Sequence, residues 1–361
     1  MPELFGSDAY APKEIAAKVE TVGVAKAHMA TLPLVMLGLL AGAFIGLGGL
    51  LFIIVKSDAS LSFAVSQLLG GFVFCLGLIL VVIAGAELFT GNNLLAMAWA
   101  DGQITTREVL RNWLWVCAAN FVGTTGLALL VYLSGHTHMN GGAIGTTVLK
   151  IALAKQNLVW HEAFFRGVLC NVLVCMAVWM AMAGRSVIDK VIAIVFPITA
   201  FVAAGFEHSI ANMYVMQLAL IIQYVEPVTA GNALGVAGNA LSVAGMLGNL
   251  VPVILGNLVG GSVFVGLGLP PHLPRGGSGS APSNPVDRKR LIVCGGVHRL
   301  DHALQQGFGL VRTRQTHLAV EDEKRHTGDA HFTRGFVAVE GLTVQRRVLQ
   351  MLFGHRAVHP R

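Results

Sequence analysis

Residues 84–92 read Ala-Gly-Ala-Glu-Leu-Phe-Thr-Gly-Asn and residues 204–212 read Ala-Gly-Phe-Glu-His-Ser-Ile-Ala-Asn, so both follow Ala-Gly-x-Glu-x-x-x-small-Asn. Each stretch puts an acid near the middle of a long apolar run, with polar residues just after it. A second echo, Asn-x-Val-Gly, occurs at residues 120–123 and 257–260, in the same order along the chain. Two matches in one order indicate an internal repeat of two three-span halves. Because each half has an odd number of spans, the two must run in opposite directions through the membrane.

Outward from the repeats, six stretches approach the roughly 20 apolar residues a spanning helix needs. They cover residues 29–55, 61–86, 112–134, 167–184, 191–225 and 242–269; the fifth meets Glu207 and His208 after 16 uncharged residues. The expected fold class is an all-α membrane protein with six transmembrane helices in two inverted three-helix repeats, the second and fifth helices broken. Lys13, Lys18, Lys26, Arg107, Arg111, Arg185 and Lys190 fall on one side, and Lys56, Lys150, Lys155 and Arg166 on the other. The positive-inside bias therefore puts both ends of the chain in the cytoplasm. Residues 1–28 form a cytoplasmic N-terminal segment without the apolar core of a cleavable signal; Ile15, Val19 and Val22 are spaced for a short amphipathic helix.

Of the 361 residues, 54% are hydrophobic and 12% charged, which excludes an ordinary soluble protein. The net charge of +6 belongs to the tail. Residues 1–270 hold 11 Lys/Arg against 12 Asp/Glu, and the remainder 14 against 7. A phosphate-binding core is thus not encoded before residue 270, and no nucleic-acid partner is expected. After the six-span region 29–269 come a Pro/Gly/Ser linker, 270–285, and a basic tail, 286–361, whose composition suits a solvated or disordered segment. Cys75, Cys117, Cys170 and Cys175 sit inside apolar runs and are read as packing residues. With no metal cluster, phosphate loop or nucleophile beside a base, neither an enzyme nor a cofactor is expected.

Ionisable groups at membrane depth are costly and rarely idle, which singles out Glu87, Glu207 and His208. Irregular backbone is tolerated there only against protein or a hydrated cavity, so the breaks should flank a pore. Thr90 and Ser209 stand where a half-helix would start and are candidate caps. Two half-helix N-termini aimed into a cavity favour a small anion. An unperturbed imidazole changes charge near neutral pH, so His208 is the candidate to exchange a proton with a passing ion, whereas Glu87 and Glu207 are expected to hold backbone N–H groups and fix the breaks. Phe74, Leu78, Leu88, Phe89 and Phe201 lie near the breaks as candidate dry constrictions; each alone is also ordinary packing. Lys155 can raise the anion concentration at an outer mouth.

The segments GAELFTG at 85–91, GFEHSIANM at 205–213 and GNLVGG at 256–261 resemble the formate/nitrite transporter family over about residues 10–269. The resemblance implies an aquaporin-like protomer with its own anion pore, assembled as a homopentamer in a bacterial inner membrane. It implies that His208 is the central pore histidine, Thr90 its partner on the broken second helix and Glu207 the acid before it. It further implies slits at Phe74, Leu78, Leu88, Phe89 and Phe201, a vestibule lysine at Lys155, and pore-facing asparagines at Asn171 and Asn257. The expected activity is passive or proton-linked passage of formate, with protons and the lipid bilayer as the other partners. A nitrite channel is the nearest alternative, followed by lactate, acetate or hydrosulfide. A water or glycerol pore lacks support because paired Asn-Pro-Ala signatures are absent, and a membrane-anchored scaffold with a basic tail is the remote alternative.

Overall fold

The computed structural model describes residues 9–235 and 240–269. The expectations for the linker 270–285 and tail 286–361 lie outside the described residues. Among the described residues, regular structure is helical apart from one isolated bridge between Ala9 and Gly184. The helices are α1 (Pro12–Ala27), α2 (Thr31–Lys56), α3 (Phe63–Ala84), α4 (Leu95–Ala100), α5 (Thr106–Leu133), α6 (Ala143–Gln156), α7 (Trp160–Ala183), α8 (Val187–Ala203), α9 (Ser209–Val225), α10 (Pro227–Leu234) and α11 (Val243–Leu258). A 3-10 turn, Gly91–Leu94, leads into α4, and α11 continues as a π-helix over Val259–Leu267.

Among the described residues, five helices are long and apolar enough to cross a membrane: α2, α3, α5, α7, and α11 with its π extension. The span expected at 191–225 instead consists of α8 and α9, 17 residues each. At 1.5 Å per residue each reaches about 25 Å, short of a hydrocarbon core of about 30 Å. The third and fourth long helices start at Thr106 and Trp160, six or seven residues before the apolar runs do. Charge ends an apolar run without ending a helix: Glu108 and Glu162 lie in first turns, where the dipole favours an acid. Thr105 and Glu108 also close a reciprocal capping box.

Two shorter helices complete the walls. In α1, Ile15, Ala16 and Val19 are buried, and the helix packs on α4 and α7. Residues 143–156, expected as part of an outer loop, form α6, which packs Ile144, Val148, Leu149 and Ala152 as one buried face with its largest contact on α9. Their i, i+4, i+5, i+8 spacing is the helical period. The long helices pair in matching order: α2 packs on α3 and α5, as α7 packs on α8 and α11, while α3 meets α8 and α5 meets α9 across the centre. Phe63, Phe72, Leu114, Leu130, Phe196 and Phe264 are exposed on the outside, an apolar surface suited to lipid rather than water.

Candidate functional site

Each helix break is built by the same local rule. After α3, Gly85 turns left-handed at φ 69°, and after α8, Gly205 does so at φ 71°; only glycine takes this conformation without steric cost. The next N–H groups turn back, Ala86 N to the Val81 carbonyl and Phe206 N to the Phe201 carbonyl. Then each acid's backbone reaches a neighbouring helix: Glu87 N donates to the Leu37 carbonyl of α2 at 3.2 Å, and Glu207 N to the Arg166 carbonyl of α7 at 3.3 Å.

Orphan backbone groups at membrane depth need partners, and two asparagines supply them. Asn120 Nδ2 donates to the carbonyls of Gly38 (2.7 Å) and Glu87 (2.9 Å), while its Oδ1 accepts from Phe89 N (2.9 Å). Asn257 Nδ2 donates to the carbonyls of Gly167 (2.8 Å) and Glu207 (3.0 Å), while its Oδ1 accepts from Ser209 N (3.0 Å). The repeated Asn-x-Val-Gly therefore marks two straps across the breaks. Both N–H groups of Asn257 are spent on backbone, so it positions the break rather than presenting a donor to a ligand.

The acids do not hold backbone N–H groups, contrary to the sequence expectation, because the straps already satisfy them. Glu87 pairs with Lys26 at 2.8 Å and accepts from Asn92 at 2.7 Å. Asn92 also donates to Asn112 Oδ1, and Asn112 donates to the Lys26 carbonyl, closing a ring. Glu207 pairs with Lys155 at 2.8 Å and accepts from Asn212; Asn212 donates to Asn249, and Asn249 to the Lys155 carbonyl. The two rings correspond residue for residue. Lys26, Asn92, Asn112, Asn212 and Asn249 carried no role in the sequence reading, although Asn92 and Asn212 end the repeated motif.

Between the rings, Thr90 Oγ1 lies 3.0 Å from His208 Nε2, and both residues are buried. His208 itself caps α9, its Nδ1 accepting from Ala211 N at 3.2 Å. A neutral imidazole that accepts at Nδ1 carries its proton on Nε2, so Nε2 donates to Thr90 and leaves the threonine hydroxyl proton free to donate elsewhere. Neither hydroxyl caps a half-helix as expected. Thr90 is already in αR geometry and its hydroxyl faces the histidine; Ser209 lies one residue inside α9, and its Oγ has no hydrogen-bond partner among the described residues. Asn171 Nδ2 reaches the Thr90 carbonyl, Asn93 Oδ1 and the Asn257 carbonyl, tying the two breaks together, and its Oδ1 is buried without a partner among the described residues.

One cavity borders His208, and a second borders Gly91, next to Thr90 in the chain. One of about 120 Å³ on the α6 side is bordered by Phe74, Phe201, Lys155, Glu207 and His208. The other, about 370 Å³ on the α1 side, is bordered by Leu78, Leu88, Gly91, Glu87 and Lys26. The ring of Phe201 meets Phe74 edge-on at 5.9 Å and stacks on His208 at 5.9 Å. The expected constriction residues thus divide, Phe74 and Phe201 bordering one cavity and Leu78 and Leu88 the other, while Phe89 is buried and borders neither. Among the described residues no three His, Cys, Asp or Glu side chains group as a metal site requires. The arrangement suits passage of a small polar solute between two charged rings.

The same residues match known proteins. The chain is 37% identical to the formate channel FocA of Haemophilus influenzae over 268 residues, which is 73% of this chain and 94% of that protein. It is 38% identical to FocA of Escherichia coli strain K12 over 265 residues, 72% of this chain and 93% of that protein. A solved pentameric formate channel with formate bound superposes with a TM-score of 0.61 at 38% identity, over 66% of this chain and 95% of that one. These relatives are channels rather than enzymes, and with the apolar helices they make this chain a multi-pass membrane protein. The family described as formate/nitrite transporter matches residues 13–269, which hold both breaks, both rings and both straps; the chain belongs to that family.

Proposed function

We propose that this protein is a formate channel of a bacterial inner membrane, with residues 29–269 as the channel domain and both termini cytoplasmic. Its protomer has six spans in two inverted three-helix repeats, the second (α3/α4) and fifth (α8/α9) broken, in an aquaporin-like layout with one pore per protomer of a homopentamer. The matching break, strap and ring of each half support the repeat. The solved relative described as a pentameric formate channel with formate bound supports the assembly and the substrate.

The observation that carries the reading is the Thr90–His208 hydrogen bond, with one cavity bordering His208 and another bordering Gly91, each also lined by a lysine–glutamate pair. An anion enters at a cavity bordered by the Lys155–Glu207 pair on one side or the Lys26–Glu87 pair on the other. It then meets apolar side chains, Phe74 and Phe201 from one side or Leu78 and Leu88 from the other. A bare charge is costly there and a neutral acid much less so. With His208 Nε2–H given to Thr90, the Thr90 hydroxyl is the free donor at this point, and a proton taken from the acidic solution and relayed to the carboxylate at or through His208 lowers the barrier. Glu207 holds Lys155, and Asn171 holds the Thr90 carbonyl, in register with the pair.

The test is formate and nitrite flux in proteoliposomes at about pH 5 and about pH 7.5, on either side of the ordinary imidazole range, for the native chain and His208→Ala. Formate flux is expected to rise in acid and to lose that rise in the variant. Equal formate flux at the two pH values would sink the protonated-substrate mechanism, and faster nitrite than formate flux would make the chain a nitrite channel.

A further inference from the structure

Charge in the two cavity walls is balanced pair by pair, with one exception. The α6-side wall carries Lys155 joined to Glu207, and the α1-side wall carries Lys26 joined to Glu87, both at 2.8 Å. The α1-side wall also includes Lys190, in the first turn of α8. Among the described residues, no salt bridge reaches its ammonium. The adjacent Asp189 is engaged elsewhere: its Oδ2 accepts the backbone N–H of Ser186 at 2.8 Å and of Arg185 at 3.1 Å, as the acid of the α8 capping box. Neighbouring helical residues do not face each other.

Charged groups near this cavity in α1 and before α8, which do not border it, and Lys26, which does, are also engaged. Lys18 donates to the Met182 carbonyl at 3.1 Å and lies over the Tyr10 ring at 4.5 Å; Arg185 lies over the same ring at 4.6 Å. Glu14 accepts from Ala11 N at the start of α1. Lys26 is shared between Glu87 and Asn92. Among the described residues, Lys190 is therefore the cation bordering this cavity that no carboxylate pairs, in a wall that also holds the Lys26–Glu87 pair, Asn92 and apolar side chains such as Val22, Leu94 and Val178. Low-dielectric walls concentrate the field of such a charge toward the opening.

We propose that Lys190 captures the substrate anion at the α1-side mouth, a small monovalent carboxylate, and delivers it inward toward Lys26. The inference rests on the formate-channel reading above and adds an asymmetry to it. The repeat makes the two rings equivalent, but the α6-side wall has no counterpart to Lys190 among the residues bordering its cavity. In a passive pore with equal pH and no membrane potential, detailed balance forbids one-way flow. The charge must therefore appear as a lower half-saturating concentration on its own face, with a correspondingly lower maximal flux from that face.

The experiment measures initial formate flux against concentration from each face, in right-side-out and inside-out vesicles, at low and high salt, for the native chain, Lys190→Gln and Lys190→Arg. At low salt, Lys190→Gln is expected to raise the half-saturating concentration on the α1 face roughly fivefold, to leave the α6 face unchanged, and to flatten the salt dependence of the α1 face. Lys190→Arg keeps native values on both faces, and the unchanged α6 face reports that the glutamine variant is folded. Native half-saturation and salt dependence in a transporting Lys190→Gln channel would overturn the role of Lys190. A native chain that moves no formate in these vesicles would instead overturn the formate-channel reading.

Discussion

Thr90 and Asn257 define the two kinds of residue at the breaks, one facing the solute path and one closing backbone. Thr90→Val removes the hydroxyl with little change of shape, so His208 Nε2–H loses its acceptor. Formate flux is expected to fall by roughly fivefold to a hundredfold, since losing one polar contact at a dry site costs on the order of 1–3 kcal/mol, while Thr90→Ser retains most of it. Flux assays on the two variants decide this, and equal flux in both would remove the hydroxyl from the mechanism. Asn257→Ala leaves Ser209 N and the Glu207 carbonyl without partners, and the Gly167 carbonyl with its α7 ladder bond alone. A loss of about 2–4 kcal/mol is expected, at about 1–3 per orphaned group with partial relaxation, and Asn120→Ala should cost a similar amount because its three bonds are the same. Thermal unfolding in detergent measures both, and a large difference between them would argue against equivalent straps. The sequence showed these asparagines as a repeated pattern but not as straps, because a pattern does not say which carbonyls lie within reach.

Among the elements, the crossing of α7 with α11 sets how closely the second half can close. Gly256 lies where an added methyl would meet the Phe164 carbonyl and the Val168 N–H. Both belong to the backbone of α7, which cannot yield as a flexible side chain does. Gly256→Ala is expected to lower stability by about 1–3 kcal/mol, read as a lower midpoint in a size-exclusion thermostability assay; an unchanged midpoint would show that α7 and α11 can separate at no cost. Just beyond, α11 widens into the π-helix, where Gly261 faces Asn171 and Asn93 and Ser262 Oγ donates to the Asn93 carbonyl at 3.1 Å. Widened turns of this kind recur at functional sites. The long helices were legible as apolar runs. The polar ends of α5 and α7 were not, nor was α6 as a helix, since a residue charge count cannot separate a solvated helical turn from a loop.

For the molecule as a whole, α1 is the wall of the larger cavity, and its docking is tied to protonation. Glu20 is buried on α1; its Oε2 accepts from Gln103 Nε2 at 3.2 Å and its Oε1 has no partner among the described residues. Burial, and next the neighbouring Asp101 carboxylate, hold the Glu20 carboxyl above its ordinary range. A raised folded-state pKa contributes docking stability that is fully present below the unfolded value and is lost as pH rises through the folded one. Backbone amides of α1, corrected for intrinsic exchange, are therefore expected to be better protected from hydrogen exchange in acid than at neutral pH. Glu20→Gln should remove that difference, and a variant that keeps the native pH dependence would take Glu20 out of the account. By itself the sequence determined that the chain is a membrane-embedded helical protein with two matching interruptions, because apolar length and a repeated acid are local properties of a one-dimensional pattern. It also marked His208, Thr90 and Lys155 as residues of interest through their place in that pattern. Only the tertiary structure decided that Thr90 meets His208 across 118 positions of chain, that Lys26 answers Lys155, and that Lys190 stands without a salt-bridge partner among the described residues. Those are facts of distance between elements, and distance between elements is set by how helices pack rather than by the order of residues within them.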